Sequence, residues 1–317
     1  METNLEGRKP KPIPVIVNTY RRLLQPYRTW LALFLWVASC GQVERKGTDE
    51  ETVGAIPYDL TNPKEEYLMP GELNEISGIS WYSPGLLACV EDENGLIYLY
   101  DTQQKRVVRR IRFAESGDYE DLSVIKQNAY VVRSDGTLFL RSLANPQSDG
   151  QTDLTLRYPT ALTAAHDVEG LGYHAKRNRL LIACKEKQAL PGQRVEGKAL
   201  YAVNVNLHQM QETPAYQISW PAGGDPASGK KKGGGKKENW QPSGVAVHPL
   251  SHQIYLLASA GKRLLVLHSD GSLVETVRLD PRLFRQPEGI CFAPDGTLYI
   301  ASEGHEGTGY ILSFEQR

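Results

Sequence analysis

The sequence predicts an all-β protein, a β-propeller of four-stranded blades, and three observations lead to this fold class. Short aromatic and β-branched runs alternate with Gly, Pro, Asn and Asp, as strands alternate with turns. After residue 50, no amphipathic stretch of helical period exceeds two turns. A motif of a polar residue followed by Gly recurs along the chain at similar spacing, and repeats of this length are typical of propellers.

The composition sets limits on the class of protein. The 317 residues are enough for one large domain or two ordinary ones, and for a real hydrophobic core. The apolar fraction is 40% and the formal net charge is -1, so the average composition favours neither a nucleic-acid binder nor a disordered protein. We therefore expect a monomer that has no nucleic-acid partner.

The first 50 residues differ from the rest of the chain. Several arginines precede an apolar run at 30–39, which is too short for a membrane-spanning helix, since that needs about 20 residues. The run suits the apolar core of a secretion signal. It ends in "VASC", which resembles the bacterial lipoprotein signal, with residues 1–39 removed and Cys40 lipidated. The alternative is an ordinary signal, or a buried helix that happens to end in Cys.

The lipoprotein interpretation fixes an expected location and organisation. Residues 40–58 are expected to be a polar tether and 59–317 the propeller domain. We expect a membrane-anchored protein of the cell envelope, facing the periplasm or the exterior, because several acyl chains anchor firmly where one binds only marginally. The remaining cysteines lie in separate apolar runs, and we expect them to be unpaired and to act as small buried hydrophobic residues: Cys89, Cys184 and Cys291.

The spacing of the motifs predicts the number of blades. The aligned motif positions are Gly78, Asp121, Gly170, Gly244 and Gly289. The gaps between them are 43, 49, 74 and 45 residues, and the long gap contains a Gly/Lys-rich loop at 221–240. Only 28 residues follow Gly289, so the last blade lacks a strand that residues 59–69 can supply. These numbers favour five blades closed by an N-terminal strand, which leaves fewer exposed edges. Six blades, with a degenerate unit in 171–243, are the alternative.

The motifs also form a specific ordered series. They are "NEISGISW" followed by "LLACVEDENGLIYLYD", then "GDYEDLSV", "DVEGLGYH", "QPSGVAVHP" and "QPEGICFAPDGTLYIASEG". This series, over about residues 65–317, resembles the SdiA-regulated (YjiK-like) family of bacterial envelope β-propellers. The resemblance implies a propeller, an envelope location and a link to calcium. Relatives have been likened to the β-propeller phytases, but the resemblance implies no established reaction. The Gly/Lys-rich loop departs from the family pattern.

In propellers the first strand of each blade lines the central channel, and two polar positions recur there. The position before the motif glycine holds Ser77, Glu120, Glu169, Ser243 and Glu288. The position two residues earlier holds Glu75, Asp118, Asp167, Gln241 and Gln286. Residues two apart on a strand point the same way, so each blade is expected to direct two polar groups to one place. The second strands end in a possible outer ring, which holds Glu91, Ser134, Lys185, Ser259 and Glu303.

Carboxylates that converge on a narrow channel repel one another, so either some stay protonated or a cation neutralises them. Oxygen ligands without a Cys/His cluster favour Ca²⁺ or Mg²⁺ over zinc. The sequence therefore predicts a Ca²⁺ site with Glu120, Glu169 and Glu288 as ligands. Glu75 and Asp167 are expected to assist. Alternatively, these side chains cap turns at the strand ends by accepting backbone N–H groups.

Two classes of function follow from such a site. The first is a binding module for Ca²⁺ and an unknown small ligand or envelope partner. The second is a phytase-like phosphoric-ester hydrolase, in which the carboxylates hold metals that polarise a phosphate. Phosphate chemistry normally needs cationic side chains, and near the motifs only Lys185, Arg133 and Arg285 are candidates. This shortage favours the binding module.

Overall fold

The computed structural model describes residues 56–219, 240–304 and 307–317. The predicted signal at 1–39, Cys40, the tether up to residue 55 and residues 221–239 of the Gly/Lys-rich loop lie outside these residues. The described residues form five antiparallel sheets, each built from consecutive strands except where the chain ends meet. The predicted five-bladed propeller is therefore confirmed, and the six-bladed alternative is not needed.

The strands follow the predicted repeats. The N-terminal strand β1 spans Glu65–Leu68. Blade one consists of β2 (Ile76–Ser83), β3 (Leu86–Glu91), β4 (Leu96–Asp101) and β5 (Arg106–Arg112). Blade two consists of β6 (Tyr119–Ile125), β7 (Asn128–Arg133), β8 (Leu138–Ser142) and β9 (Leu156–Tyr158). In blade three the outermost strand is split in two, giving β10 (Val168–His174), β11 (Arg179–Cys184), β12 (Lys198–Asn204), β13 (Gln209–Met210) and β14 (Tyr216–Ile218).

Blades four and five complete the ring. Blade four consists of β15 (Gly244–Val247), β16 (Ile254–Ala258), β17 (Arg263–Leu267) and β18 (Leu273–Arg278). Blade five consists of β19 (Pro287–Phe292), β20 (Leu298–Ser302), β21 (Tyr310–Phe314) and the N-terminal β1. Short 3-10 helices in the described residues span Gly71–Leu73, Pro146–Ser148, Ala164–His166 and Ala175–Arg177. Over these same residues, no helix is both long enough and apolar enough to cross a membrane.

The N-terminal strand closes the ring as predicted. Strand β1 pairs antiparallel with β21, with Tyr67 opposite Ile311. Contacts with blade five begin still earlier in the chain, because Tyr58 is buried and its hydroxyl donates to the carbonyl of Gly296 at 2.6 Å. One blade thus contains strands from near both ends of the propeller segment, and opening the ring requires this sheet to break.

Alternation along the strands explains how the blades pack. In β3, Leu87 and Cys89 pack against blade five, whereas Ala88 and Val90 pack against blade two. The described residues form one such apolar cluster at each blade interface, and burial of this apolar surface is the main stabilising term. The three cysteines in this part of the chain are free and buried, as predicted.

The innermost strands surround a common axis. Each of β2, β6, β10, β15 and β19 contacts the next one, and β19 contacts β2. The motif glycines permit this close approach. A Cβ on Gly244 would lie 2.5 Å from the carbonyl oxygen of Glu288, and a Cβ on Gly170 would lie 3.1 Å from the backbone of Gly244. Glycine is required at these positions for lack of space.

Blade two has Asp121 where the other blades have glycine. Its side chain is buried and bridges two blades. One carboxylate oxygen accepts the N–H of Leu122 at 2.8 Å, and the other accepts the N–H of Leu171 in blade three at 2.7 Å. A side chain therefore makes the inter-blade contact that the backbone makes elsewhere.

Candidate functional site

The ring position before the motif glycine is shaped by β-bulges. The strand register shifts between Ile76 and Gly78, between Tyr119 and Asp121, between Val168 and Gly170, and between Pro287 and Ile290. A bulge inserts an unpaired residue and redirects its side chain. The inserted positions hold Ser77, Glu120, Glu169 and, in the longer shift, Glu288. The simple alternation of a regular strand therefore does not hold across the motif.

The two serines of the ring connect blades. The Ser77 hydroxyl donates to the carbonyl of Tyr119 in blade two at 2.9 Å. The Ser243 hydroxyl donates to the carbonyl of Pro287 in blade five at 2.7 Å and accepts the N–H of Ser259 at 3.1 Å. Both serines thus bond to backbone groups, and Ser243 accepts a backbone N–H as the turn-capping alternative predicts, whereas Ser77 donates to carbonyl groups.

The three glutamates of the ring interact with one another and with a lysine. The Lys185 ammonium donates to Glu169 at 2.7 Å and lies 3.6 Å from a carboxylate oxygen of Asp167. Electrostatic interactions connect Glu169 with Glu120 and with Glu288. We call this set the carboxylate mouth, and its members are Glu120, Glu169, Glu288, Asp118, Asp167 and Lys185.

Burial governs the charge of the carboxylate mouth. Burial, followed by the nearby carboxylates of Glu169 and Asp118, raises the pKa of Glu120 to about 10. Burial, followed by the carboxylates of Glu169 and Glu303, raises the pKa of Glu288 to about 8. Burial also raises the pKa of Glu169, although Lys185 opposes this shift. At neutral pH, Glu120 and Glu288 therefore hold protons, and the Lys185 ammonium favours the ionised form of Glu169.

Ammonium groups neutralise only part of this set. Burial is the largest single influence on Lys185 and opposes its charging, but the bond to Glu169 and the charges of Glu169, Asp167 and Glu288 together outweigh it and raise the pKa of the ammonium. Burial lowers the pKa of Lys262, and Glu288 opposes this shift. Among the described residues, the carboxylates that interact here outnumber the ammonium groups. The mouth is therefore short of positive charge when its carboxyl groups ionise.

Some predicted residues lie away from this set. Glu75 is exposed and interacts with Asp92, whose pKa rises to about 6 through burial and then through Glu75. Gln241 donates to Glu186 of blade three, and Gln286 donates to Glu303 within its own blade. Of the positions two residues before the ring, the carboxylates of Asp118 and Asp167 interact with the glutamates.

The predicted outer ring does not form one structure. The buried carboxylate of Glu91 accepts the N–H of Asn94 at 2.7 Å and that of Glu93 at 3.1 Å, so it caps the turn after its own strand. Lys185 reaches inward to Glu169 instead. Glu303 accepts a hydrogen bond from Gln286 and raises the pKa of Glu288.

The oxygen ligands of the carboxylate mouth suit a hard cation, but their present spacing does not. Buried carboxylate oxygens are the ligands that Ca²⁺ prefers. In the part of the chain that the structure describes, however, no three His, Cys, Asp or Glu side chains are grouped so that they could hold one metal ion. A metal at this mouth would need water ligands or a movement of the side chains.

The sequence analysis assigned no role at the site to two ionisable residues of this region. Asp121 carries a signal, because it is the one motif position without glycine, and its carboxylate interacts with Glu169. Lys262 lies between β16 and β17 with a φ of 50°, outside any motif. Its interaction with Glu288 depends on the ring geometry, which the sequence does not display.

The arginines predicted as phosphate ligands are engaged elsewhere. The Arg133 guanidinium pairs with Asp135 and lies 5.7 Å from the centre of the Phe139 ring. The Arg285 guanidinium lies 4.8 Å from the centre of the Tyr310 ring. Lys185 is therefore the candidate among the three that contacts a ring glutamate.

Comparisons with known proteins place the chain in a family. A protein of unknown function from Bacteroides thetaiotaomicron has a TM-score of 0.47 and 13% identity, covering 75% of this chain and 55% of that one. A luciferin-regenerating enzyme has a TM-score of 0.45 and 11% identity, covering 80% of this chain and 95% of that one. The PQQ-bound aldose sugar dehydrogenase from Streptomyces coelicolor has a TM-score of 0.46 and 14% identity, covering 81% of this chain and 98% of that one. A search of curated proteins found no match. The SdiA-regulated family matches residues 64–305, and the chain belongs to this family.

Proposed function

We propose that this propeller is a binding module whose carboxylate mouth binds a divalent cation, with Ca²⁺ as the ion. The observation that carries the proposal is the convergence of Glu120, Glu169 and Glu288 from three blades on one channel with too few ammonium groups to neutralise them. Raised pKa values mark carboxyl groups whose ionised form lacks a partner. A cation would supply that partner.

Calcium suits this arrangement better than magnesium. Ca²⁺ accepts six to eight oxygens in irregular geometry, including water, whereas Mg²⁺ demands a near-octahedral set. Binding of Ca²⁺ displaces protons from Glu120 and Glu288, and it competes with the Lys185 ammonium for Glu169. The affinity for Ca²⁺ is therefore expected to rise with pH and to be limited by Lys185.

Isothermal titration calorimetry tests this proposal. CaCl₂ and MgCl₂ are titrated into the protein at pH 6 and pH 8, in two buffers that differ in ionisation enthalpy. We expect Ca²⁺ to bind more tightly at pH 8, with release of protons. Glu120→Gln is expected to weaken binding about tenfold or more, and Lys185→Met to strengthen it. Glu75→Gln is the matched control and is expected to change nothing. Absence of Ca²⁺ binding at both pH values would refute the proposal.

The mouth is also the proposed site of a small ligand or an envelope partner. The alternative, a calcium-dependent phosphoric-ester hydrolase, has less support because Arg133 pairs with Asp135 and Arg285 lies over the Tyr310 ring. Phytate and p-nitrophenyl phosphate, incubated with the protein and Ca²⁺, separate the two functions. Turnover that is lost in Glu120→Gln would favour the hydrolase.

We further propose that Cys40 carries a lipid anchor in the cell envelope. The support is the order of the apolar run, the small residues and the cysteine at 30–40. Replacement of Cys40 by alanine is expected to move the protein from the membrane fraction to the soluble fraction and to abolish labelling with palmitate. A Cys40→Ala protein that stays in the membrane fraction and is still labelled would contradict the anchor.

A further inference from the structure

The opposite end of the channel contains a cavity of about 190 Å³, lined by all five innermost strands. It lies past the bulges, three residues further along each strand than the ring position. The residues at these equivalent positions are Ser80, Ser123, Gly172, Ala246 and Cys291. All five side chains are small. The channel is therefore open at this end because the same small class of residue recurs in every blade.

The walls of this cavity carry no carboxylate, ammonium or guanidinium group among the described residues. His248 and His252 both line the cavity, and burial, followed by the nearby His252, lowers the pKa of His248. Its Nδ1 accepts the N–H of Ser251 at 3.0 Å, which is consistent with a neutral ring. Burial raises the pKa of Cys291, so its sulfur stays a thiol. We call this region the uncharged end.

The uncharged end offers both aromatic surface and hydrogen-bonding groups. Trp81, Tyr173 and Phe292 contribute partly buried rings from three blades. The Tyr173 hydroxyl is engaged with Asn178 at 2.9 Å, so its ring is what remains for a ligand. In the described part of the chain, the buried Ser123 forms no side-chain hydrogen bond, although it lines the cavity. This hydroxyl is free to bind a polar group of a ligand.

We propose that the uncharged end binds an uncharged small molecule with a single-ring, largely apolar body and one hydrogen-bonding group. An ion would lose its hydration here and, in the walls formed by the described residues, find no carboxylate, ammonium or guanidinium group to pair with. An apolar body gains by leaving water, and a cavity of roughly 150 Å³ already holds benzene, so one ring fits. The site is independent of the carboxylate mouth, and neither proposal requires the other.

Three probes of nearly equal size and different charge test this inference: benzyl alcohol, benzylamine and benzoate. Trp81 reports binding through its fluorescence, taken as the difference between the unmodified protein and Trp81→Phe. Benzyl alcohol is expected to saturate this signal, and the two charged probes to bind at least about tenfold more weakly. Equal binding of all three probes, or no Trp81 signal with benzyl alcohol, overturns the proposal.

A second experiment fills the cavity with a larger side chain. Ser123→Leu is expected to weaken benzyl alcohol binding by at least about tenfold, because the leucine occupies the space of the ring. Ser142→Leu, at an exposed position of the same blade, is the matched control and is expected to leave binding unchanged. A melting curve checks that each variant is folded. If Ser123→Leu does not fold, Ser123→Thr is expected to give a partial loss of about threefold. Unchanged binding in a folded filling variant contradicts the proposal.

Discussion

The two ends of the channel are built from the same five strands and have opposite chemistry. Three residues separate Glu120 from Ser123 and Glu288 from Cys291, and within that distance a buried carboxyl group gives way to a small uncharged side chain. The repeat fixes where the strands lie, but the residues at two equivalent positions decide what each end can bind. A propeller can therefore carry two unrelated sites without any change of backbone.

The two ends also depart from good packing in different ways. The carboxylate mouth buries ionisable groups, which lowers stability at pH values where they ionise. The uncharged end leaves space that larger side chains would fill, which forfeits contacts, and the lowered pKa of His248 there costs stability as pH falls, not as it rises. Stability measured against pH therefore distinguishes one end from the other.

The largest effect is expected from Asp121→Ala, at the boundary between the two ends. This change leaves the buried N–H groups of Leu122 and Leu171 without their acceptor, and each such loss costs about 1–3 kcal/mol. We expect a decrease of about 2–4 kcal/mol in the free energy of unfolding, measured with urea.

Asp121→Asn is the matched control. The amide oxygen of asparagine can accept one of the two N–H groups, but its NH2 group cannot accept the other. Asp121→Asn is therefore expected to cost about half as much as Asp121→Ala. A cost below about 1 kcal/mol for the alanine variant would show that the carboxylate bridge adds little to the contact between blades two and three.

The next largest effect is expected from Lys185→Met. Without this ammonium, the carboxylate of Glu169 is left buried beside other carboxylates, and the free energy of unfolding should fall by about 2 kcal/mol at pH 8. At pH 5 the loss should be smaller, because Glu169 can take up a proton in the folded state. Lys187→Met, at an exposed neighbouring position, is the control and should behave like the unmodified protein at both pH values. An equal loss at pH 5 and pH 8 would mean that Lys185 acts through packing alone.

Glu120→Gln is expected to stabilise the metal-free protein. The pKa of Glu120 is about 10 in the folded state against an ordinary value of 4.5. Between these values the folded protein holds a proton that the unfolded chain releases, so stability falls as pH rises through this window. Removal of the titrating group should raise the melting temperature at pH 8 by about 2 °C and flatten its dependence on pH. Calorimetric scans at pH 5 and pH 8 measure both effects, and a variant as sensitive to pH as the unmodified protein would contradict the assignment.

The fold could be predicted from the sequence because the spacing of the motifs is regular even where their residues differ from blade to blade. The gaps between the motif positions from Gly78 to Gly289 predict five blades. The short stretch after Gly289 lacks a strand, which the N-terminal strand supplies. The close approach at Gly170 and Gly244 gives the physical reason for the repeat, since a Cβ there would meet the next blade.

The site was less accessible to the same reasoning. The ring position was predicted from its recurrence, but the bulges found there break the alternation on which the placement of Glu75 beside the glutamates rested. The bond from Lys185 to Glu169 and the turn capped by Glu91 depend on side-chain direction at strand ends. Periodicity carries no information about that direction.

The smallest effect is expected from Trp81→Phe at the uncharged end. The ring is only partly buried, and one aromatic side chain replaces another, so the free energy of unfolding should fall by about 1 kcal/mol or less. No carboxylate lines this end among the described residues, and His248 and His252 are present in both proteins, so the difference from the unmodified protein should be the same at pH 5 and pH 8. Paired melting curves at the two pH values measure this difference. If it changed with pH as much as the Glu120→Gln difference does, ionisation at the mouth would be altering the packing around Trp81, and the two ends would have to be treated as one site.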